Sequence, residues 1–215
     1  MLRNEEIILI DKPKGITSFD VIRVLRKKLG IEKMGHAGTL DPLASGLMII
    51  GIGKGTKSLD RYLKLPKIYE AEILLGIQTA TGDLEGAVIG QKTIESISIN
   101  EINKVLAGIV GKIELSVPLY SAVKVAGKPL YKYARRHLDV RRPSKNMEVL
   151  WIKLRDHFPK DDHCMLAVEL EVASGTYIRS IAEEIGRRLG YPATLAGLRR
   201  TKVGDFKIEN AEKIN

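Results

Sequence analysis

The stretch KIYEAEILLGI, Lys67 to Ile77, alternates with a period of two. Tyr69, Ala71, Ile73, Leu75 and Ile77 fall on one side, Glu70 and Glu72 on the other. A helix would scatter these apolar residues around its axis. A strand with one buried face keeps them together, so the chain must build a sheet and cover it. The remaining signals do not alternate regularly between strand and helix. Ile7 to Ile10 is a short apolar run closed by the turn DKPKG. Thr17 or Ser18 caps a predicted helix with a stripe of Phe19, Ile22, Leu25 and Leu29, stopped by Gly30. Strands are predicted at Leu47 to Ile52, Lys112 to Val117, Met147 to Asp156, Met165 to Val172 and Val203 to Ile208. Ile102, Val105, Leu106 and Ile109 mark a second helix. A third opens after Gly175, buries Ile178, Ile181, Ala182, Ile185 and Leu189, and ends at Gly190 and Pro192. This irregular order predicts an α+β fold with a mixed or antiparallel sheet. With no repeat or linker in view, residues 1–215 read as a single domain.

The 35 Lys and Arg outnumber the 26 Asp and Glu, a formal charge of +9. A solvated basic surface explains that excess, and so does a polyanionic partner, most simply nucleic acid. No apolar run is long enough to span a bilayer, and no secretory signal opens the chain, so a cytoplasmic protein without membrane contact is expected. Cys164 is the only cysteine, which excludes an intrachain disulfide and a multi-cysteine zinc site. HFPKDDHC, His157 to Cys164, lacks zinc-type spacing and reads as a turn between strands. GIGKGTKS, Gly51 to Ser58, fails as a nucleotide loop: Thr56 stands where a P-loop or a dinucleotide fingerprint needs glycine. It reads as a strand end and basic turn.

Two segments remain. In GHAGTLDPLASGLM, Gly35 to Met48, the single acid Asp41 sits before Pro42 and among Gly35, Gly38 and Gly46. Glycine lets backbone approach a ligand or take positive φ, and Pro42 biases Asp41 toward an extended conformation. A surface turn with a capping Asp has the same composition. Leu119 to Lys145 carries Lys124, Lys128, Lys132, Arg135, Arg136, Arg141, Arg142 and Lys145, with Tyr120, Tyr131 and Tyr133 among them. Cations with interleaved tyrosines suit phosphate contact and base stacking; a solvated charged helix is the ordinary alternative.

GHAGTLDPLASGLM resembles the active-site loop of the TruB family of tRNA pseudouridine synthases, of the form G-H-x-G-x-L-D-P. In order along the chain, DKPKGITS, KIYEAEILLG, VPLYSAVKVAGKPLYKYAR, SGTYIRSIAEEIG and LAGLRRTKVG resemble further motifs of that family. The match runs from Glu6 to Phe206. It implies the pseudouridine synthase fold, a long mixed sheet flanked by helices and loops with the catalytic cleft on one face. It also implies isomerisation of the uridine at position 55 in the T-loop of tRNA, with no cofactor and no metal, by a protein that grips the T-arm; a monomer is expected, although the sequence does not give the oligomeric state.

The resemblance assigns the residues. Asp41 acts at the ribose, either as a nucleophile at C1′ or as a base that removes the 2′ proton. Arg179 pairs with the aspartate, and Tyr69 stacks on the target base. His36 props the opened loop, while Tyr177 and Leu198 line the uracil pocket. The basic segment at 119–145 becomes the RNA grip. Many family members carry a further C-terminal RNA-binding domain, often of the PUA type, and this chain ends at Asn215, as a short form would. Two rivals stand beside this reading. One is a non-catalytic tRNA-binding or RNA-folding protein on the same scaffold. The other is a glycosidase with an aspartate nucleophile, which needs a second carboxylate about 5 Å or more away that no motif supplies.

Overall fold

The computed structural model describes residues 7–136 and 138–214; Glu6, where the resemblance begins, lies outside them. The first strands are β1 (Ile7–Lys12), β2 (Met34–His36), β3 (Ser45–Ile52), β4 (Lys67–Leu75), β5 (Ile77–Thr79), β6 (Val88–Gln91) and β7 (Gly111–Ser116). After them come β8 (Lys124–Val125), β9 (Lys128–Pro129), β10 (Ser144–Lys160), β11 (His163–Val172), β12 (Ala193–Val203), β13 (Phe206–Lys207) and β14 (Glu212–Lys213). The helices are α1 (Ser18–Leu29), α2 (Leu59–Leu63), α3 (Ile99–Gly108), α4 (Leu130–Ala134) and α5 (Ile178–Leu189). No helix among the described residues is long and apolar enough to cross a membrane.

The chain divides into two compact units, Met1–Glu70 with Gly197–Asn215, and Ala71–Ala196. β4 and β12 each place one end in either unit. In the first unit the strand order is β14-β1-β3-β12-β4, with β2 on β3 and β13 on β12. β1 runs antiparallel to β3, and β14 and β12 run parallel to β1 and β3 respectively, so this sheet is mixed. Its core holds Ala37, Leu47, Ile49, Tyr62 and Val203. The α1 helix is started by a capping box, in which Thr17 and Asp20 satisfy each other's backbone N–H, and is ended by Gly30 at φ 68°. It buries Ser18, Val21, Ile22 and Leu25. Phe19, which the sequence places in the inward stripe, is 55% exposed. The inward face is turned by one position, because Ser18 points in to hold backbone.

In the second unit the order is β12-β4-β11-β10-β7, and β10 pairs antiparallel with both β11 and β7. β4 shows the expected alternation, with Tyr69, Ala71 and Ile73 buried and Glu70 and Glu72 exposed. HFPKDDHC does form a hairpin, although the turn itself is only Asp161–Asp162; Pro159 and Lys160 belong to β10. The Gly51–Ser58 stretch ends β3 as expected, then winds into a 3-10 helix at Gly53–Ser58. The basic segment is not one charged helix. It folds as the β8–β9 hairpin followed by the short α4.

Candidate active site

Asp41 lies between β2 and β3, in a loop fixed at five points. Ala37 donates its backbone N–H to the Ile49 carbonyl at 3.0 Å. Ser18, at the start of α1, grips Leu40 from both sides: its hydroxyl donates to the Leu40 carbonyl at 3.0 Å and accepts from the Leu40 N–H at 2.8 Å. Gly15 donates to the Pro42 carbonyl at 2.8 Å, and Ala44 donates to the Asp41 carbonyl at 3.0 Å. The fifth tie is Arg200. Only 1% exposed, it donates Nε to the Leu47 carbonyl at 2.7 Å and Nη2 to the Gly38 carbonyl at 3.1 Å. Gly38 holds φ 92°, where a side chain would be strained.

Lys67 shares this floor. Its Nζ donates to the Leu63 and Leu65 carbonyls at 2.7 and 2.6 Å. A Cβ on Gly38 would lie 3.4 Å from Arg200 Nη1 and 3.8 Å from Lys67 Cε. Two buried cations held by carbonyls therefore sit beneath the loop. Burial, and then the Arg200 charge, pushes Lys67 down to about 8. Burial, followed by Arg200, also lowers the His36 imidazole below its ordinary value. Of the other residues singled out in the first unit, Tyr69 is buried on β4 and Leu198 is buried on the neighbouring β12.

Arg179 and Tyr177 belong to the second unit, at the start of α5, where Tyr177 is the N-cap residue. Arg179 is 6% exposed. It donates Nη1 to the Thr81 carbonyl at 2.9 Å and Nη2 to the Tyr120 carbonyl at 3.0 Å, with Asp83 Oδ2 at 3.7 Å. One guanidinium thus joins the turn after β5 to the beginning of the basic segment. Asp83 is itself buried, and accepts from the Thr81 hydroxyl at 2.5 Å and the Glu85 N–H at 3.2 Å. Tyr177 donates its N–H to Met147 Sδ at 3.4 Å, and Lys145 Nζ stands 5.8 Å from its ring centroid.

In the basic segment Lys124, Lys128, Lys132, Arg135, Arg136 and Arg141 are exposed. Arg142 is half-buried, with Nη1 3.4 Å from Glu183 Oε2. Sequence reasoning missed Ser18, Lys67, Asp83 and Arg200. Ser18, Lys67 and Arg200 lie inside motifs that were recognised and Asp83 lies outside them, but a lone Ser, Lys, Asp or Arg carries no local sign of being buried.

The sequence that carries this loop matches known proteins. A family model described as TruB family pseudouridylate synthase (N terminal domain) matches residues 26–178. The tRNA pseudouridine synthase B of Fusobacterium nucleatum subsp. nucleatum is 42% identical over 205 residues, 95% of this chain and 70% of that protein. Its namesake in Desulfotalea psychrophila is 42% identical over 207 residues, 95% of this chain and 84% of that one. Among solved structures, a chain in the crystal structure of a Cbf5-Nop10-Gar1 complex superposes with a TM-score of 0.72 at 29% identity. That likeness covers 97% of this chain and 52% of the other, so this chain spans about half the length of that structural neighbour. The α+β fold and mixed sheet expected from sequence are therefore those of solved relatives, and the motifs, the fold and the curated relatives agree that the chain belongs to the TruB family of pseudouridylate synthases.

Proposed function

We propose that the chain isomerises uridine to pseudouridine in tRNA, at position 55 of the T-loop. The observation that carries this is its likeness, over 95% of its length, to proteins named tRNA pseudouridine synthase B. The stretch matched by the family model includes His36, Asp41, Tyr69 and Tyr177.

The reaction breaks the bond from ribose C1′ to uracil N1, turns the base, and joins C5 to C1′. C5 gives up a proton and N1 gains one, so the mass is unchanged and no redox partner is needed. Asp41 is the group that acts at the sugar, adding to C1′ or taking the 2′ proton to give a glycal. Its chemistry requires an ionised carboxylate in a fixed place. The anchored loop supplies the fixed place.

Arg179 supplies the positive charge that keeps a carboxylate ionised under a bound base. Tyr69 stacks on the base, His36 fills the space it leaves, and Tyr177 and Leu198 border the uracil. Extruding the nucleotide costs about a few kcal/mol, which contacts from the exposed cations of the basic segment offset on the T-arm.

The test is to incubate unmodified tRNA transcript with wild type and Asp41→Asn, then map pseudouridine by carbodiimide labelling and primer extension. A T-loop stop with wild type alone is expected. Tight binding by wild type without a stop would favour a non-catalytic tRNA-binding scaffold.

A further inference from the structure

The basic excess is unevenly divided. The first unit, Met1–Glu70 with Gly197–Asn215, has 18 Lys and Arg against 11 Asp and Glu; the second has 17 against 15. The recognised basic segment lies in the second. Lys67 and Arg200 hold the Asp41 loop, and other cations of the first unit lie on its surface.

Part of that excess is gathered on α1. Phe19, Arg23, Arg26 and Lys27 stand at i, i+4, i+7 and i+8, one side of the helix, and the exposed Lys28 follows about 100° further round, on the far flank from Phe19. Arg23 is tied to Asp20. Arg26, Lys27 and Lys28 have no carboxylate partner among the described residues. Phe19 points outward, 55% exposed, with the Arg26 guanidinium 5.8 Å from its ring centroid. Arg26 Nε is buried and has no hydrogen-bond partner among the described residues. The start of this stripe is fixed to the Asp41 loop, because Ser18 holds both polar backbone atoms of Leu40. From Phe19 to Lys27 the helix advances about 12 Å, the rise of three to four stacked nucleotides at ~3.4 Å each.

We propose that the exposed side of α1 is a second RNA-contacting surface, on which Phe19 stacks a base and Arg26, Lys27 and, at its far flank, Lys28 meet phosphates of the strand leading away from the target nucleotide. An exposed aromatic beside unpaired cations fits a polyanion with flat faces, and RNA has both features. The inference rests on the proposed function for its ligand, tRNA.

Two variants test it: Arg26→Gln/Lys27→Gln/Lys28→Gln, and Phe19→Ala. Gln keeps good helix propensity and these positions lie outside the core, so both variants fold. A control, Lys104→Gln/Lys153→Gln/Lys160→Gln, removes the same charge from exposed positions elsewhere. Affinity for tRNA transcript is measured between about 50 and 200 mM salt. The α1 triple variant is expected to flatten the log–log salt slope by about two, at roughly 0.7 to 0.9 per lost contact. Phe19→Ala is expected to weaken binding at least about fivefold, and the control to leave both measures unchanged. An unchanged slope in the α1 variant, or an equal loss in the control, overturns the proposal. Pseudouridine formation by wild type is scored separately. If it occurs while the α1 variant binds like wild type, only this inference fails; if wild type binds without forming product, the proposed function fails and the salt slopes still judge the surface.

Discussion

At Arg179 one side chain reaches two carbonyls and a carboxylate with three different nitrogen–oxygen contacts. Lysine keeps the charge but has no planar fork, so Arg179→Lys leaves at least one buried carbonyl unmet. Each such loss costs about 1–3 kcal/mol. We expect a lower midpoint in urea and, because the group is misplaced, single-turnover pseudouridine formation slower by about a hundredfold. Near-wild-type turnover would remove Arg179 from the chemistry. Lys67 gives a pH signature of its own. Its ordinary value of 10.5 is lowered to about 8 in the fold, by burial first and Arg200 second. Between those values the unfolded chain holds a proton that the folded chain has released. Stability therefore rises with pH from about 8 to 10.5, and below about 8 the full cost of the buried charge is present. Lys67→Met removes this dependence. The gap in Tm between variant and wild type should change steadily across the window and level off below it. A gap independent of pH would show that Lys67 titrates normally.

At the scale of elements, β3 and β12 meet most closely where Gly46 stands opposite Arg200. Gly46 has φ 109°, and a Cβ there would be driven into the Arg200 backbone. Gly15 also has positive φ, 88°, but open space around its Cβ position. Gly15→Ala should cost about 1–2 kcal/mol of backbone strain. Gly46→Ala should cost about 2–5 kcal/mol, because overpacking between strands adds to strain. Urea unfolding of the two variants checks the ordering; equal losses would mean that the strand contact yields. The adjacent strands β4 and β12 show what could be read from sequence. β4 was legible because its two faces differ, one buried and one wet. β12, ATLAGLRRTKV, was missed except at its last residue. Its first six residues are all buried, so they show no alternation, and the enclosed Arg200 sits among other charged residues. The α1 cap was legible, while the side taken by Phe19 was not, because Ser18 turns inward to bond Leu40. In the site, the Asp41 loop stood out through its resemblance to a family motif. The ties of Arg200 to Leu47 and Gly38, and of Asp83 to Arg179, are long-range and leave no local pattern, while Lys67 bonds the nearby Leu63 and Leu65 carbonyls without a recognisable signature.

Across the whole molecule the +9 charge is expected to set how strongly RNA is held, while Asp41, Tyr69 and Arg179 are proposed to decide what happens to it. These contributions separate experimentally, because phosphate contacts carry no sequence information. Lys124, Lys128 and Lys132 are exposed, on β8, β9 and α4 of the basic segment. Changing all three to Gln should flatten the salt slope of tRNA binding by about two to three, and should weaken an unrelated RNA hairpin in parallel. The turnover of tRNA already bound, measured in a single turnover with enzyme in excess and at low salt, should stay within about threefold of wild type, since no group at the reacting atoms is altered. Asp41→Asn should give the opposite pattern, with an unchanged slope and no product. If instead the lysine variant bound normally and lost turnover, the basic segment would have to act in ordering the reactive nucleotide, and the division between holding RNA and acting on it would move from the charge of the surface to the segment that begins at the Tyr120 carbonyl, where Arg179 is bonded.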